Sequence, residues 1–493
     1  MNSHLHGATH REILVHLSDI ALRERRLLPD FPPKTLAEAH QIESERPVAG
    51  KDLRDMRGLL WASIDNDDSR DLDQLTVAEP LPDGKTKVLV AIADVDSLVP
   101  LASRLDKHAG HNTTSIYTAA KIYPMLPERL STDLTSLNFN QARLAVVIEM
   151  VVDAVGIVTD AHIYRAVVHN HAKLAYNSVA AWLDGDSEPP VAIQRVPGLE
   201  DNLRLQNSVA QRLRALRHLH GALNLETIQS KPVFDGDRVI GLEKDRKNCA
   251  TEIIEDFMIA ANGVTARYLE AHGFPSIRRI VRVPDRWDRL VGIAAQMGAE
   301  LPDAPDSKAL AQFLIAQKRA DPLRFPDLSL TVIKLLGSGE YVAELPGEEG
   351  QGHFGLAVKD YTHSTAPNRR YVDLITQRLL KAALVGSPSP YSIGELEKLA
   401  AHCTTAEDEV NKAERQVGKS AAALLLEHRI GEHFEGIVTG AAQKGTWVRL
   451  LELPIEGKLV EGYRGVDVGD KIQVVLIATD VFRGHIDLRR ARS

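Results

Sequence analysis

Five aspartates fall within nine residues in the segment IDNDDSRDLDQL, at Asp65, Asp67, Asp68, Asp71 and Asp73. Crowded carboxylates repel one another, raise each other's pKa and cost stability unless positive charge compensates them. A hard divalent cation provides that compensation. Mg²⁺ prefers oxygen ligands, keeps several waters and is usually held by a few carboxylates plus a substrate phosphate, so the segment suits phosphoryl chemistry. The plain alternative is an exposed acidic turn. A calcium loop beginning at Asp65 would need Gly at its sixth position and Glu at its twelfth, where the chain has Arg70 and Thr76, so an EF-hand is excluded.

A second chemical signal is HSTAPNRRYVDL at 363–374, in which Pro367 stiffens the chain just before Arg369 and Arg370. The planar guanidinium fork matches phosphate oxygens, so an arginine fixed beside a metal could hold a phosphate or its leaving group. Alone, such a pair reads equally as a solvated couple or as partners for helical acids. Further basic groups, Arg212, Arg214 and Arg217, then Arg278, Arg279, Arg282, Arg286 and Arg289, could line the path of a polyanion or be ordinary helix surface.

The elements that must position these groups are legible in outline. GLLWASI and TKVLVAIADV are β-rich runs on either side of the acidic loop, and ARLAVVIEMVVD at 142–153 is a further strand. Helical patterns occupy 203–223, 251–271 and 392–430, the last opened by Ser392 and Glu395. From Gly431 the texture changes to five short runs with glycine punctuation, HFEGIVTG, GTWVRLL, GKLVEG, DKIQVVLIATD and GHIDLRR, as in a small closed barrel of the OB type. Phe434 and Trp447 are its candidates for base stacking, with core positions as the alternative. Near the N-terminus, Ile13, Leu14, Leu17 and Ile20 recur at helical spacing behind a Thr9–Glu12 capping box, Phe31-Pro32-Pro33 interrupts, and a second short helix follows before Pro47.

The 493 residues carry a net charge of −8, with 44% hydrophobic and 26% charged residues; these values exclude a disordered or fibrous chain. A simple nucleic-acid binder is usually basic, so any nucleic acid here must meet local positive surface. Cys249 and Cys403 cannot build a disulfide framework or a cysteine zinc site and read as free thiols. No apolar run approaches the length of a bilayer span, and the expectation is a cytoplasmic protein without a membrane or an obligate protein partner.

IDNDDSRDLDQL followed by VAIADV, PMLPERLSTDLTSL, IIEDFMIAAN, HFGLAVKDYTH and TAPNRRYVDL, in that order, resembles the ribonuclease II and ribonuclease R family, and the following barrel resembles that family's RNA-binding OB domain. The resemblance implies a 3′-to-5′ hydrolytic exoribonuclease, processive on single-stranded RNA, that releases nucleoside 5′-monophosphates with Mg²⁺. It implies that Asp65, Asp71 and Asp73 match three of four aspartates around the metal, Asp73 being the one most critical for cleavage. Arg369 matches the arginine that assists departure of the 3′ nucleotide, with Arg370 beside it on the RNA. Tyr117 and Tyr176 match tyrosines that contact RNA, and Glu255 and Glu414 match carboxylates near its 3′ end.

Gln74 stands where the family has its fourth aspartate. A glutamine is a neutral oxygen donor and a weaker Mg²⁺ ligand, which implies weaker metal binding and room for Mn²⁺; Asp68 is a nearby candidate to compensate. The family's two cold-shock-type barrels do not fit into the first fifty residues. The expected fold is α+β: a helical appendage at 1–50, open to a helix-turn-helix reading, a mixed α/β nuclease domain at 51–390, a connecting helix at 391–430 and an OB barrel at 431–493. Two rival functions are a catalytically impaired RNA-binding relative and a divalent-metal phosphodiesterase acting on small nucleotides.

Overall fold

The computed structural model describes residues 7–42, 53–226, 230–244, 247–442 and 445–491. Thr9 caps α1 (His10–Glu24): its hydroxyl accepts from the Glu12 amide while the Glu12 carboxylate accepts from the Thr9 amide, which satisfies two of the helix's free donors. Pro33 opens α2 (Pro33–Gln41), at the position where a missing N–H costs nothing. The junction expected near residue 50 lies outside the described residues.

Next come β1 (Arg54–Asp55), β2 (Ala62–Asp65), β3 (Gln74–Pro80), β4 (Thr86–Ala93), α3 (Arg104–Asn112), the hairpin β5 (Ile116–Tyr117) and β6 (Ile122–Tyr123), β7 (Ala142–Val152), β8 (Val158–His169), β9 (Ala172–Ala175), α4 (Tyr176–Leu183), α5 (Val191–Gln194) and α6 (Leu199–Leu219). Among the described residues a seven-stranded sheet has the order β1-β8-β7-β4-β3-β2-β9. It is antiparallel except where β1 runs parallel to β8 and β2 to β9. β4 and β7 lie in its middle and are covered on both faces, which is why they read as continuous apolar runs instead of alternating ones. α6 is fixed to β3 by buried polar contacts: Thr76 Oγ1 donates to Gln206 Oε1 at 2.7 Å, and the Asn202 carboxamide bonds both the N–H and the C=O of Ala78.

The chain continues through β10 (Ser230–Asp235), β11 (Arg238–Lys244), α7 (Cys249–Ala271), β12 (Ser276–Ile280), α8 (Trp287–Gln296), α9 (Ser307–Ala320), α10 (Phe325–Leu336), β13 (Glu340–Glu344), α11 (Tyr371–Leu384) and α12 (Ile393–Leu426). Helices α8, α9 and α10 close a small core of their own around Trp287, Leu310, Phe313 and Phe325, a satellite that periodicity alone did not separate from the main body. Helix α12, about 51 Å long at 1.5 Å per residue, is the spine of the molecule. Its Leu396, Ala400 and Cys403 join the main core, Val410, Ala413 and Val417 the core beneath α1, and Ala422, Ala423 and Leu426 the core of the barrel.

That barrel consists of β14 (His433–Ala442), β15 (Gly445–Leu450), β16 (Glu456–Glu461), β17 (Lys471–Asp480) and β18 (His485–Arg490), closed in the order β14-β15-β16-β18-β17. Phe434 fills its interior at 2% exposure; it is a core residue and not a stacking platform. The N-terminal helices do not form a helix-turn-helix pair. Their apolar faces are committed to different neighbours, Leu14, Ala21 and Leu22 of α1 to α12 and the hairpin, and Ala39 of α2 to the main core. Both cysteines are free thiols. Among the described residues no helix is long and apolar enough to cross a membrane.

Candidate active site

The acidic segment links the end of β2 to the start of β3 and is pinned from below. Ser136 Oγ accepts the Leu72 amide at 2.9 Å and donates to the Arg70 carbonyl, while the Leu137 amide bonds Leu72 O and the Ala93 amide bonds Asp73 O. Asp73 is thereby fixed at 2% exposure. Its Oδ1 accepts the Asn368 amide at 3.0 Å across 295 residues of sequence. Its Oδ2 lies 3.3 Å from Arg369 Nε yet has no aligned hydrogen-bond donor.

The arginine segment is shaped with equal care. Asp373, buried in the first turn of α11, accepts the Ala366 amide at 2.8 Å and Arg370 Nη2 at 2.7 Å. The Asn368 side chain is held by Thr135 Oγ1, and the Arg369 carbonyl accepts from Ser115 N and Thr114 Oγ1, both at 2.9 Å. Arg370 is thereby paired with buried Asp373, its side chain 23% exposed. Arg369 is left facing the aspartates with its side chain 44% exposed. Asn368, Asp373, Ser136 and Thr135 are positioning groups that were not singled out from the sequence, although the first two stand inside HSTAPNRRYVDL and the other two inside PMLPERLSTDLTSL.

Tyr117 and Tyr176 converge on the same place. The Tyr117 hydroxyl faces Asp71, the ring is 43% exposed, and its amide donates to Glu414 Oε1 of α12 at 2.7 Å. Tyr176 follows Ala175, the residue paired with Asp65 in the β2–β9 register. Burial, with the charge of Asp65, raises its hydroxyl pKa. The Asp73 carboxyl is pushed up to about 7, first by burial, with Asp71 adding to the rise and Arg369 opposing it. Burial also raises Asp71, with Arg369 and Tyr117 pulling the other way.

Other expected residues lie apart. Glu255, on α7, pairs with Lys247 at 2.6 Å and borders a cleft of about 330 Å³ together with Arg214, Arg217 and Asp256; no hydrogen bond or ion pair ties it to the aspartates. Trp447 is half-buried in the barrel, lying along Gly440 and Gly445. Asp68 is exposed, and no hydrogen bond among the described residues ties the Gln74 carboxamide to the aspartates. The basic stretches are largely spent within the fold. Arg214 and Arg217 grip buried Asp256, Arg212 caps the Gly84 and Asp153 carbonyls, and Arg278, Arg279 and Arg282 pair with Glu344, Glu407 and Glu340. A buried carboxylate such as Asp256 attracts paired arginines, which withdraws Arg214 and Arg217 from the surface, while Arg282, Arg286 and Arg289 stay exposed.

Among the described residues no three His, Cys, Asp or Glu side chains converge closely enough to hold an ion by themselves. The donor set nevertheless fits a hard divalent cation of the Mg²⁺ type, which takes one or two carboxylates and completes its shell with water and substrate phosphate. A buried carboxylate oxygen without a hydrogen-bond donor, Asp73 Oδ2, is the feature such a cation would satisfy.

Residues 53–386 match the RNB domain, and residues 432–491 match the RNase II-type exonuclease C-terminal S1 domain. The chain belongs to the RNB family. Among similar RNB proteins, ribonuclease R of Escherichia coli strain K12 is 33% identical over 456 residues, covering 89% of this chain and 55% of its own. Ribonuclease R 1 of Lactococcus lactis is 31% identical over 445 residues, covering 87% and 53%. The chain thus spans about half the length of these curated relatives. In three dimensions it superposes on Mycoplasma genitalium RNase R in complex with ribose-methylated single-stranded RNA with a TM-score of 0.87 and 23% identity, over 97% of this chain and 78% of that one; this likeness concerns the RNB fold.

Proposed function

We propose that the chain is a 3′-to-5′ exoribonuclease that hydrolyses single-stranded RNA processively to nucleoside 5′-monophosphates, with Mg²⁺, in the cytoplasm. The observation that carries this reading is the approach of Arg369 to buried Asp73, from segments about three hundred residues apart, beside a carboxylate oxygen that no hydrogen-bond donor reaches. Buried carboxylate oxygens usually have a donor, and of the two that lack one among the described residues, Asp73 Oδ2 and Asp373 Oδ2, the first lies beside the partly exposed Arg369 and close to Asp71. A divalent cation would satisfy it, with a substrate phosphate completing the cation's shell.

Asp65, Asp71 and Asp73 would hold the metal, with Gln74 a neutral oxygen donor at its margin and Mn²⁺ an acceptable replacement. When bound, the cation lowers the pKa of water and withdraws charge from a phosphoryl oxygen. Arg369 offers its guanidinium to the charge that develops on the phosphate and leaving 3′ oxygen. Tyr117 and Tyr176 flank the aspartates as stacking and hydroxyl contacts for the last nucleotides, and Glu414, which bonds the Tyr117 amide, holds that ring in place. Residues 51–390 serve as the catalytic domain, 391–430 as the connecting helix and 431–493 as the RNA-binding barrel that feeds the strand.

Incubating 3′-labelled single-stranded RNA with the protein, with and without Mg²⁺, tests this. Labelled mononucleotide released only with metal is the expected result, and no release at any Mg²⁺ or Mn²⁺ concentration overturns the enzymatic claim. Retained RNA affinity without release in either metal is the result that would turn the reading to an RNA-binding relative with impaired catalysis.

A further inference from the structure

The hairpin that carries Tyr117 is too small to place itself. β5 and β6 contribute two residues each, and an isolated two-stranded hairpin is marginal in water even when much longer. Side chains alternate across it. Ile116 and its cross-strand partner Tyr123 are buried on one side, at 0% and 3% exposure, while Tyr117 and its partner Ile122 form the other side, at 43% and 56%. Whatever grips Ile116 and Tyr123 therefore sets where Tyr117 stands.

That grip comes from α1. The Tyr123 hydroxyl donates to Asp19 Oδ1 at 2.6 Å, and Ser18 Oγ, which donates to the Leu14 carbonyl at 2.7 Å, lies 3.1 Å from Thr118 Oγ1 in the hairpin turn. Ile116 and Tyr123 share a core with Leu14, Ala21 and Leu22 of α1 and with Val410, Ala413 and Val417 of α12. α1 is itself braced at both ends, Arg25 Nη2 donating to Gln416 Oε1 of α12 at 2.8 Å and Arg11 pairing with Asp237 at 2.9 Å. Gln416 lies two residues from Glu414, which accepts the Tyr117 amide. Helix, hairpin and α12 thus form one bracket around Tyr117.

We infer that Asp19 of the N-terminal helix is a positioning residue for the RNA 3′ end, acting through Tyr123 and the β5–β6 hairpin on Tyr117, and that Ile122, the exposed cross-strand partner of Tyr117, widens the surface against which the terminal bases rest. This rests on the reading of the site as a nuclease for single-stranded RNA. Asp19 lies behind the hairpin from the aspartates and touches neither them nor Arg369, so its influence is on where the strand sits and not on bond breaking.

The test uses the full chain with Asp19→Ala, Asp19→Asn and Tyr123→Phe, the last being nearly isosteric. Two readouts are followed: hydrogen exchange of amides 116–123, and KM with kcat for mononucleotide release from single-stranded RNA. Loss of a hydrogen bond to a charged group should raise KM about three- to tenfold for Asp19→Ala and Tyr123→Phe. kcat should stay within about twofold, and hairpin exchange should quicken. The carboxamide introduced by Asp19→Asn can still accept from the tyrosine, so that variant should recover most of the loss. Folded Asp19→Ala and Tyr123→Phe proteins with wild-type hairpin exchange and wild-type KM would overturn the inference, as would a fall in kcat at unchanged KM. If the wild-type chain releases no nucleotide, the nuclease reading fails, and hairpin exchange together with single-stranded RNA affinity still decides the role of Asp19.

Discussion

Replacing Asp73 by Asn should abolish cleavage and, in the metal-free protein, alter stability in a way that depends on pH. The carboxyl is 2% exposed, and its pKa rises from 3.8 to about 7, chiefly through burial. At about 1.4 kcal/mol per pH unit, that rise corresponds to roughly 4 kcal/mol by which the ionised group disfavours the folded state. The folded protein binds more protons than the unfolded chain between the two pKa values, so this cost is absent below pH 4, grows as pH rises and is complete above pH 7. More than half of it accrues between pH 5 and pH 7. The carboxamide of the Asp73→Asn variant would keep the bond from the Asn368 amide and lose the charge, so it would not feel this slope. Its Nδ2 would face Arg369 unpaired, at a cost of about 1–3 kcal/mol that does not vary with pH. Denaturant unfolding in chelator at pH 5 and pH 8 measures the difference. The wild type should lose about 2–3 kcal/mol more than Asp73→Asn between those pH values. Saturating Mg²⁺ should then stabilise the wild type far more than the variant. Parallel pH profiles in chelator, or an equal gain with Mg²⁺ in both proteins, would refute the placement of Asp73 at a cation site, and an active Asp73→Asn protein would refute its role in cleavage.

Arg369→Ala should lower kcat about 10²- to 10³-fold with only a modest change in KM, as expected for a group that acts on developing charge; a pure binding defect would instead make Arg369 a docking residue. Gln74→Asp should reduce the Mg²⁺ concentration giving half-maximal rate, because a carboxylate adds the charge that a carboxamide lacks; an unchanged metal titration would remove position 74 from the metal's surroundings. Tyr463 and Phe482 are the exposed aromatics of the barrel, at 48% and 44%, and took no part in the sequence reading. Replacing each by Ala should weaken single-stranded RNA binding by about 1 kcal/mol or more if RNA stacks on that end of the barrel, and wild-type affinity in both variants would show that RNA follows neither end.

The elements were largely legible in the sequence because each carries a local signature. Capping boxes at Thr9–Glu12 and Ser392–Glu395, continuous apolar runs in β4 and β7, and glycine punctuation between the barrel strands are all properties of neighbouring residues. The acidic loop was equally conspicuous, since no structural role is served by five carboxylates in nine residues without a compensating charge. Which residues belong together across hundreds of positions was not written locally. Arg369 and Arg370 are adjacent and chemically identical, yet only the fold assigns one to the aspartates and the other to buried Asp373. Arg214, Arg217 and Arg278 were equally good candidates for surface until the packing of α6 against α7 and of β12 against β13 supplied their acidic partners. Phe434 and Tyr117 differ little as sequence, but β14 turns one ring into a barrel core while the alternation of a two-residue strand, fixed by α1 behind it, turns the other toward the site. Local propensity fixes the period of a segment; the partner that buries one of its faces is a tertiary choice, and that choice decides which side chains remain free for chemistry.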